Sequence, residues 1–332
     1  MAIQAERSSV MSDLVEVSSP IDVPRLRARL NDGARVQFQE PLSEADYRSL
    51  AVILMDHPSV TVRAYGSDEE LATLRLLRWF PHLRRLSVAG LYNLTDLTPL
   101  HQLSADVEVL DIGETRKPLD LTPVAAFRDL RELRIVAHRR GLADLLNANP
   151  GLQGLALWRL PVDRLIPAVT LAHLQSLSLT LGSLTDGEWL AQFPTLRYLA
   201  LRNVRRLTNL DTVTRLPALQ WLILNSLITD QLPDFSPCTA LLRVDCDAMR
   251  HLRHPTSLQG LAAAPQLRDL RVTQSQLPVN AFMPFTSHPS LEHVGVGLGS
   301  ERRNRDAHRL LGRTPPRADT HFATTHGLLY ML

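Results

Sequence analysis

One pattern constrains this chain more than any other: L-x-x-L-x-L, with Val, Ile or Cys as occasional substitutes, fills ten frames at nearly even spacing. The frames begin at Leu83, Val107, Leu130, Leu152, Leu174, Leu196, Leu219, Leu241, Leu267 and Leu291, separated by 24, 23, 22, 22, 22, 23, 22, 26 and 24 residues. An ordinary globular core has no reason to keep that register over ten units, whereas a coil whose turns are all of one length must keep it. Leu occupies 63 of the 332 positions, and no Gly/Ser-rich or Pro-rich stretch separates two halves. A single elongated solenoid is therefore expected in place of the two domains that length alone suggests. Ahead of the frames, Val60 with Val62 fits a degenerate copy, and Val36 with Phe38 fits one more strand.

Positions four and six of a frame, such as Leu177 and Leu179, lie two apart on a short strand, so both point inward while their neighbours point out. Two positions before the first Leu of many frames stands a proline, at Pro81, Pro150, Pro194, Pro217, Pro265 and Pro289. Lacking an amide hydrogen and restricting the residue before it, proline stops the preceding segment and sends the chain into the strand. Stretches between frames, such as residues 142–147 (LADLLN) and 185–193 (TDGEWLAQF), read as short helices. One unit is thus strand, turn, short helix, turn.

These frames resemble leucine-rich repeats, most closely the short bacterial type of about 22 residues. Residues 94–100 (LTDLTPL) and 207–211 (LTNLD) are similar to the I-x-D-L-x-P-L segment of internalin-like repeats. The resemblance covers residues 58–299 and implies an α/β fold: a right-handed solenoid with a curved parallel sheet on the concave face and short helices or turns on the convex face. One departure matters. The family places Asn or Cys eight residues after the first Leu, but here those positions hold Leu91, Thr115, His138, Leu160, Gly182, Val204, Leu227, Met249, Ser275 and Gly299. Without the asparagine ladder, the turn after each strand must satisfy its peptide groups by another route, because buried unpaired ones are costly.

Repeat arrays need covered ends. Residues 1–20 are expected to be disordered. An N-terminal cap over 21–57 is expected to hold helices over residues 24–30 and 43–55, and a C-terminal cap spans 300–332. That second cap reads as a basic helix over 301–311 started by Ser300, then a closing strand or hairpin around His326 and Gly327.

The outward positions three, five and seven of the frames form three columns across the open strand face. Their middle zone collects Trp158, Tyr198, Arg202, Trp221 and Ile223 beside the small residues Ala156, Ser178 and Ala200, with Arg134 on one flank and Arg243 and Asp245 on the other. Large aromatics beside Arg are the composition of interface hot spots, so the eight residues other than those three small ones are the candidate partner-binding set. The alternative is that strands tolerate outward aromatics, or that a terminal segment folds back over them.

Other chemistry is poorly supported. Cys238, Asp245, Cys246, Asp247, His251 and His254 have metal-ligand side chains, but their spacing matches no tight zinc knuckle, and Cys246 falls at an inward position. Residues 295–300 (GVGLGS) lack the third glycine of a phosphate-cradling turn. The run Arg302, Arg303, Asn304, Arg305 reads as a solvated capping helix. Neither a G-x-S-x-G elbow nor a Cys/His pairing appears, so no catalytic, cofactor or metal site is expected. With 36 basic and 34 acidic residues the net charge is +2, and no electrostatic footprint for nucleic acid stands out. No run approaches the length of a membrane span, and the first 20 residues lack the apolar core of a signal peptide. The expectation is a monomeric, cytoplasmic, non-catalytic solenoid that captures another protein on its concave face. Its narrower forms are an inhibitor or immunity protein that blocks an enzyme or toxin, or a host-directed bacterial effector exported without a signal peptide.

Overall fold

The computed structural model describes residues 14–165, 169–185 and 187–329. Contacts divide the chain into two units, Met1–Leu152 and Gln153–Leu332. In the first unit the strands β1 (Leu14–Glu16), β2 (Arg35–Phe38), β3 (Thr61–Ala64), β4 (Arg85–Ser87), β5 (Val109–Ile112) and β6 (Glu132–Val136) lie parallel and in sequence order. The second unit repeats the arrangement with β7 (Gly154–Trp158), β8 (Ser176–Thr180), β9 (Tyr198–Arg202), β10 (Trp221–Asn225), β11 (Arg243–Asp247), β12 (Asp269–Thr273) and β13 (His293–Val296).

Equal repeat length has a direct consequence for register: each frame position pairs with the same position of the next strand. In the second unit Leu155, Leu177, Leu199, Leu222, Val244, Leu270 and Val294 form one such row, every member buried. Leu86, Leu110 and Leu133 do the same in the first. These inward rows pack under the segments that return the chain, and that layer is the core of each unit.

The return segments are mostly single 3-10 turns, including Thr98–Gln102, Thr122–Ala126 and Asp211–Arg215, with α-helical pieces at α3 (Leu142–Asn147) and the single turn α4 (Val162–Leu165). The internalin-like segment explains itself here. Asp96 Oδ1 accepts from the backbone N–H of Thr98 at 2.9 Å and from its hydroxyl at 2.7 Å, and Asp120 does the same for Thr122 at 3.0 and 2.7 Å. Those hydrogen bonds satisfy the first free amide of the turn and hold both carboxyls below the usual range. The P-x-L proline sits inside a tight turn closed by the following Leu, as in Leu83 N–H to Phe80 O at 3.0 Å and Leu196 N–H to Phe193 O at 3.1 Å. Proline supplies the φ that the second residue of such a turn requires.

The missing asparagine ladder is replaced chiefly by backbone. One residue after the strand, Ala137, Arg159, Leu181, Asn203, Ser226, Ala248 and Gln274 all adopt positive φ between 50° and 63°. In five of these turns the residue's own N–H donates to the next strand's last carbonyl: Arg159 to Thr180, Leu181 to Arg202, Asn203 to Asn225, Ser226 to Asp247 and Ala248 to Thr273, at 2.8–3.0 Å. A left-handed non-glycine residue costs about 1–2 kcal/mol, so this bond offsets real strain. His138, at the ladder position, supplies a side-chain version: its Nδ1 accepts from Leu119 N–H at 3.0 Å and its Nε2 bonds Gly113 O at 2.9 Å.

The expected helices of the N-terminal cap are α1 (Val23–Arg29), started by Asp22 with Pro24 in its first turn, and α2 (Glu44–Asp56), started by Ser43. Of the residues expected to be disordered, 1–13 lie outside the described residues; Leu14–Glu16 is instead strand β1, because Val15 buries opposite Val36. At the other end α5 (Glu301–Leu311) begins at Ser300 and stops at Gly312, as its sequence implies. The expected closing strand or hairpin is a helix, α6 (Asp319–Thr325). Its apolar pair Phe322 and Ala323 is adjacent, which suits one face of a helical turn laid on a surface.

Candidate functional site

Register brings the outward residues of β9 to β12 side by side: Tyr198, Trp221, Arg243 and Asp269 in column three, and Ala200, Ile223, Asp245 and Arg271 in column five. The Tyr198 and Trp221 rings meet edge to face with centroids 5.2 Å apart. The guanidinium of Arg243 lies over the Trp221 ring at 4.5 Å. Asp245 ties the group together, accepting from Trp221 Nε1 at 2.6 Å and from Arg243 Nε and Nη2 at 2.9 and 3.2 Å. Arg271 Nε approaches the same carboxylate at 3.6 Å. Arg202 reaches from column seven to the Tyr198 hydroxyl at 3.3 Å and to Ser178 Oγ at 3.2 Å.

The expected patch is not an open surface. Trp221, Tyr198 and Arg243 are 0% exposed, and Ile223 and Asp245 are buried. Helix α6 covers them: Phe322 sets its ring 5.3 Å from Trp221 and 5.2 Å from the Arg243 guanidinium. Asp319 pairs with both Arg243 and Arg271, the latter at 3.1 Å. At the helix end, Arg197 donates to the carbonyls of His326 and Gly327 at 2.8 and 3.0 Å. Cations at a helix C-terminus meet its partial negative charge favourably.

Electrostatics follow from this burial. Burial opposes the charge of Arg243, but Asp245 and Asp319 outweigh it and hold the guanidinium above its ordinary pKa. Burial pushes the Tyr198 phenol up, with Arg202 pulling the other way. Asp269 is likewise raised by burial, against the pull of His293 and Arg243.

Of the eight sequence-expected residues, the structure gathers Tyr198, Trp221, Ile223, Arg243 and Asp245 into one covered cleft. The expectation that Trp221 is an outward anchor open to a partner is corrected by this burial: the side chain is core. Trp158 and Arg202 stay half-buried in column seven, with Asn225, Asp247 and Thr273. Arg134 belongs to the first unit, on β6, where it offsets the burial that raises Asp111; Ser87 Oγ donates to that carboxylate at 3.0 Å. Sequence reasoning missed Asp319, Phe322, Ala323 and Arg197. The signal was the wide apolar stripe on an otherwise polar strand face, which needs a cover, together with an aromatic in a terminal segment otherwise rich in polar residues.

The metal-ligand residue types do not converge: among the described residues, no group of three or more His, Cys, Asp or Glu is placed to hold an ion. Burial pushes the Cys238 thiol up to about 11 and raises Cys246 further, so both carry their protons. No helix among the described residues is long and apolar enough to cross a membrane.

No protein-family model matches the sequence, and no curated protein matches it. Solved structures do match. An internalin (InlF) of Listeria monocytogenes aligns over 79% of this chain and 78% of its own, with a TM-score of 0.51 and 17% identity. A leucine-rich repeat protein of Leptospira interrogans aligns over 86% and 77%, with a TM-score of 0.52 and 15% identity. The fold is that of a leucine-rich repeat protein. TLR13, solved in complex with ssRNA13, matches this repeat architecture over 86% of the chain but 43% of its own, at a TM-score of 0.53 and 19% identity. At these identities the likeness is one of leucine-rich repeat fold, with function left to the site itself.

Proposed function

We propose that this leucine-rich repeat chain is a non-catalytic protein-binding module that captures a protein partner on the strand face of its second unit. The observation that carries the reading is a rigid strand face: beneath α6, Trp221, Arg243 and Asp245 are locked by mutual hydrogen bonds on paired strands, and the half-buried Trp158 and Arg202 stand in column seven of the same face. A site built on regular strands orders few of its own groups when it binds, so little association energy is lost. Aromatic and Arg side chains at the centre of such a face are the usual anchors. Beside the cleft, Trp158, Arg202 and Asp247 remain accessible along column seven, so a partner there meets both an apolar ring and charges of either sign. Buried, protonated thiols at Cys238 and Cys246 fit a binding role better than a nucleophilic one.

The test is affinity capture from the native cytosol with the wild-type chain and the Trp158→Ala/Arg202→Ala variant, both checked by circular dichroism. A protein held by wild type and at least ten-fold depleted on the equally folded variant supports the reading, and its identity separates the narrower roles. An enzyme or toxin that loses activity in the complex marks an inhibitor; a host protein marks an effector. Equal retention by both baits refutes capture at this face.

A further inference from the structure

We propose that residues 317–328 are a tethered occupant of the cleft. The partner taken there, on the binding role proposed above, presents the same chemistry: a helical turn with a carboxylate three residues before an aromatic ring.

Closing the solenoid does not require α6. That work is done by α5, which buries Ala307 and Leu311 and packs on β13 and on the turn Val279–Phe285. The chain then turns back, and α6 lies across the outward side chains of β9 to β12, away from the terminal strand. Nor does the cleft need α6 for its own integrity. Arg243, its most buried charge, already has a two-point partner in Asp245, two residues along β11 on the same face, and Trp221 Nε1 bonds that same carboxylate. With the tail removed, the floor remains charge-balanced and shaped.

The way α6 docks is that of a ligand. The helix has seven residues, too few to persist alone in water, and it buries only Phe322 and Ala323. Three kinds of contact hold it: Asp319 to Arg243 and Arg271, Phe322 to Trp221 and the Arg243 guanidinium, and the carbonyls of His326 and Gly327 to Arg197. Asp319 and Phe322 are three apart, so one helical turn puts both on the face that meets the cleft. Any helix with that spacing satisfies the same floor, and one with further contacts to column seven displaces the tail. A tethered occupant lowers the apparent affinity for outside ligands by the fraction of time the cleft stands open.

The experiment uses the full-length chain and a fluorescent peptide with the sequence of residues 313–329. Asp319→Arg in the chain sets a cation against Arg243 and Arg271 and frees the cleft while leaving its floor intact. The variant is expected to bind the peptide at least ten-fold tighter than wild type, and a peptide carrying F322A at least ten-fold weaker than the parent. Equal affinity of wild type and variant, or indifference to F322A, overturns the proposal. Hydrogen exchange on the unaltered chain gives a second reading that needs no variant. The amides of Phe322, His326 and Leu328 are expected to exchange at least ten-fold faster than those of β10 and β11. Exchange of both sets together would make the tail a permanent part of the core and overturn the proposal. Peptide binding in trans reports on the cleft whether or not the cytosol holds a partner. Capture that survives Asp319→Arg without gain, yet is lost in Trp158→Ala/Arg202→Ala, would leave the binding role standing and refute the tethered occupant alone.

Discussion

Replacing Arg243 with Met tests the physical account of the cleft most directly. Methionine keeps the stem that packs against Trp221 and deletes the guanidinium, so the loss is almost entirely electrostatic. Arg243 is 0% exposed. It bonds Asp245 through two nitrogens at 2.9 and 3.2 Å and also pairs with Asp319. Without it, Asp319 keeps Arg271 at 3.1 Å, but Asp245 keeps the neutral Trp221 Nε1 donor and, as a cation, Arg271 at 3.6 Å, and buried Asp269 loses one of its two compensating charges. Breaking a buried pair from one side costs about 3–5 kcal/mol; the residual Arg271 contact places the expectation at about 3 kcal/mol at pH 7. The pH dependence has a definite sign. Burial already raises the folded-state pKa of Asp269 above its unfolded value, so folding is favoured below the unfolded pKa and penalised as pH rises through the folded one. Deleting Arg243 raises that pKa further, and the variant's deficit must shrink between pH 7 and pH 5. Urea unfolding followed by circular dichroism at both values measures it. The second change Asp245→Asn removes the stranded charge yet keeps an acceptor for Trp221 Nε1, and should recover at least half the loss. A cost below about 1 kcal/mol, or a deficit that does not shrink at pH 5, would refute the electrostatic account.

Trp221→Ala should lower stability by about 3–5 kcal/mol as a core truncation; a midpoint in urea unchanged from wild type would contradict its placement. His138 is buried with Nδ1 as acceptor, and burial holds its pKa below the ordinary 6.5. The stability it contributes is present above that value and lost as pH falls below it, so wild type should lose more stability than His138→Gln between pH 7.5 and 5.5. Parallel losses would dismiss this. Gly260→Ala would set a Cβ 2.2 Å from the Pro233 carbonyl oxygen and 2.5 Å from its carbon, both backbone. The forced shift should cost about 2 kcal/mol or more, and thermal melting at wild-type temperature would show that the backbone yields freely.

The repeat was legible because it is a local, periodic instruction. Equal spacing of Leu at positions four and six dictates the in-register inward rows, Pro two residues earlier dictates the turn, and Asp96 and Asp120 dictate the 3-10 starts. Each effect acts within a few residues of the side chain responsible. Cap helices with their own start signals, at Asp22, Ser43 and Ser300, were legible for the same reason. The backbone ladder through Arg159, Leu181, Asn203, Ser226 and Ala248 was not, since left-handed geometry at ordinary residues is stabilised by a carbonyl on the following strand, about 21–25 residues away in the chain.

Composition likewise identified which side chains crowd the strand face of the second unit. Trp221, Tyr198, Ile223, Arg243 and Asp245 fall into neighbouring columns once the frames are aligned, and they are neighbours in the structure. What the sequence by itself could not decide was whether that stripe meets water or protein. The answer lies in contacts that span 76 residues from Arg243 to Asp319 and 129 from Arg197 to His326. No periodicity encodes such a contact, because α6 is too short to announce its face and its position depends on where α5 ends and the chain turns. Local chemistry wrote the floor of the cleft, and only the tertiary path of the C-terminal segment laid a cover over it.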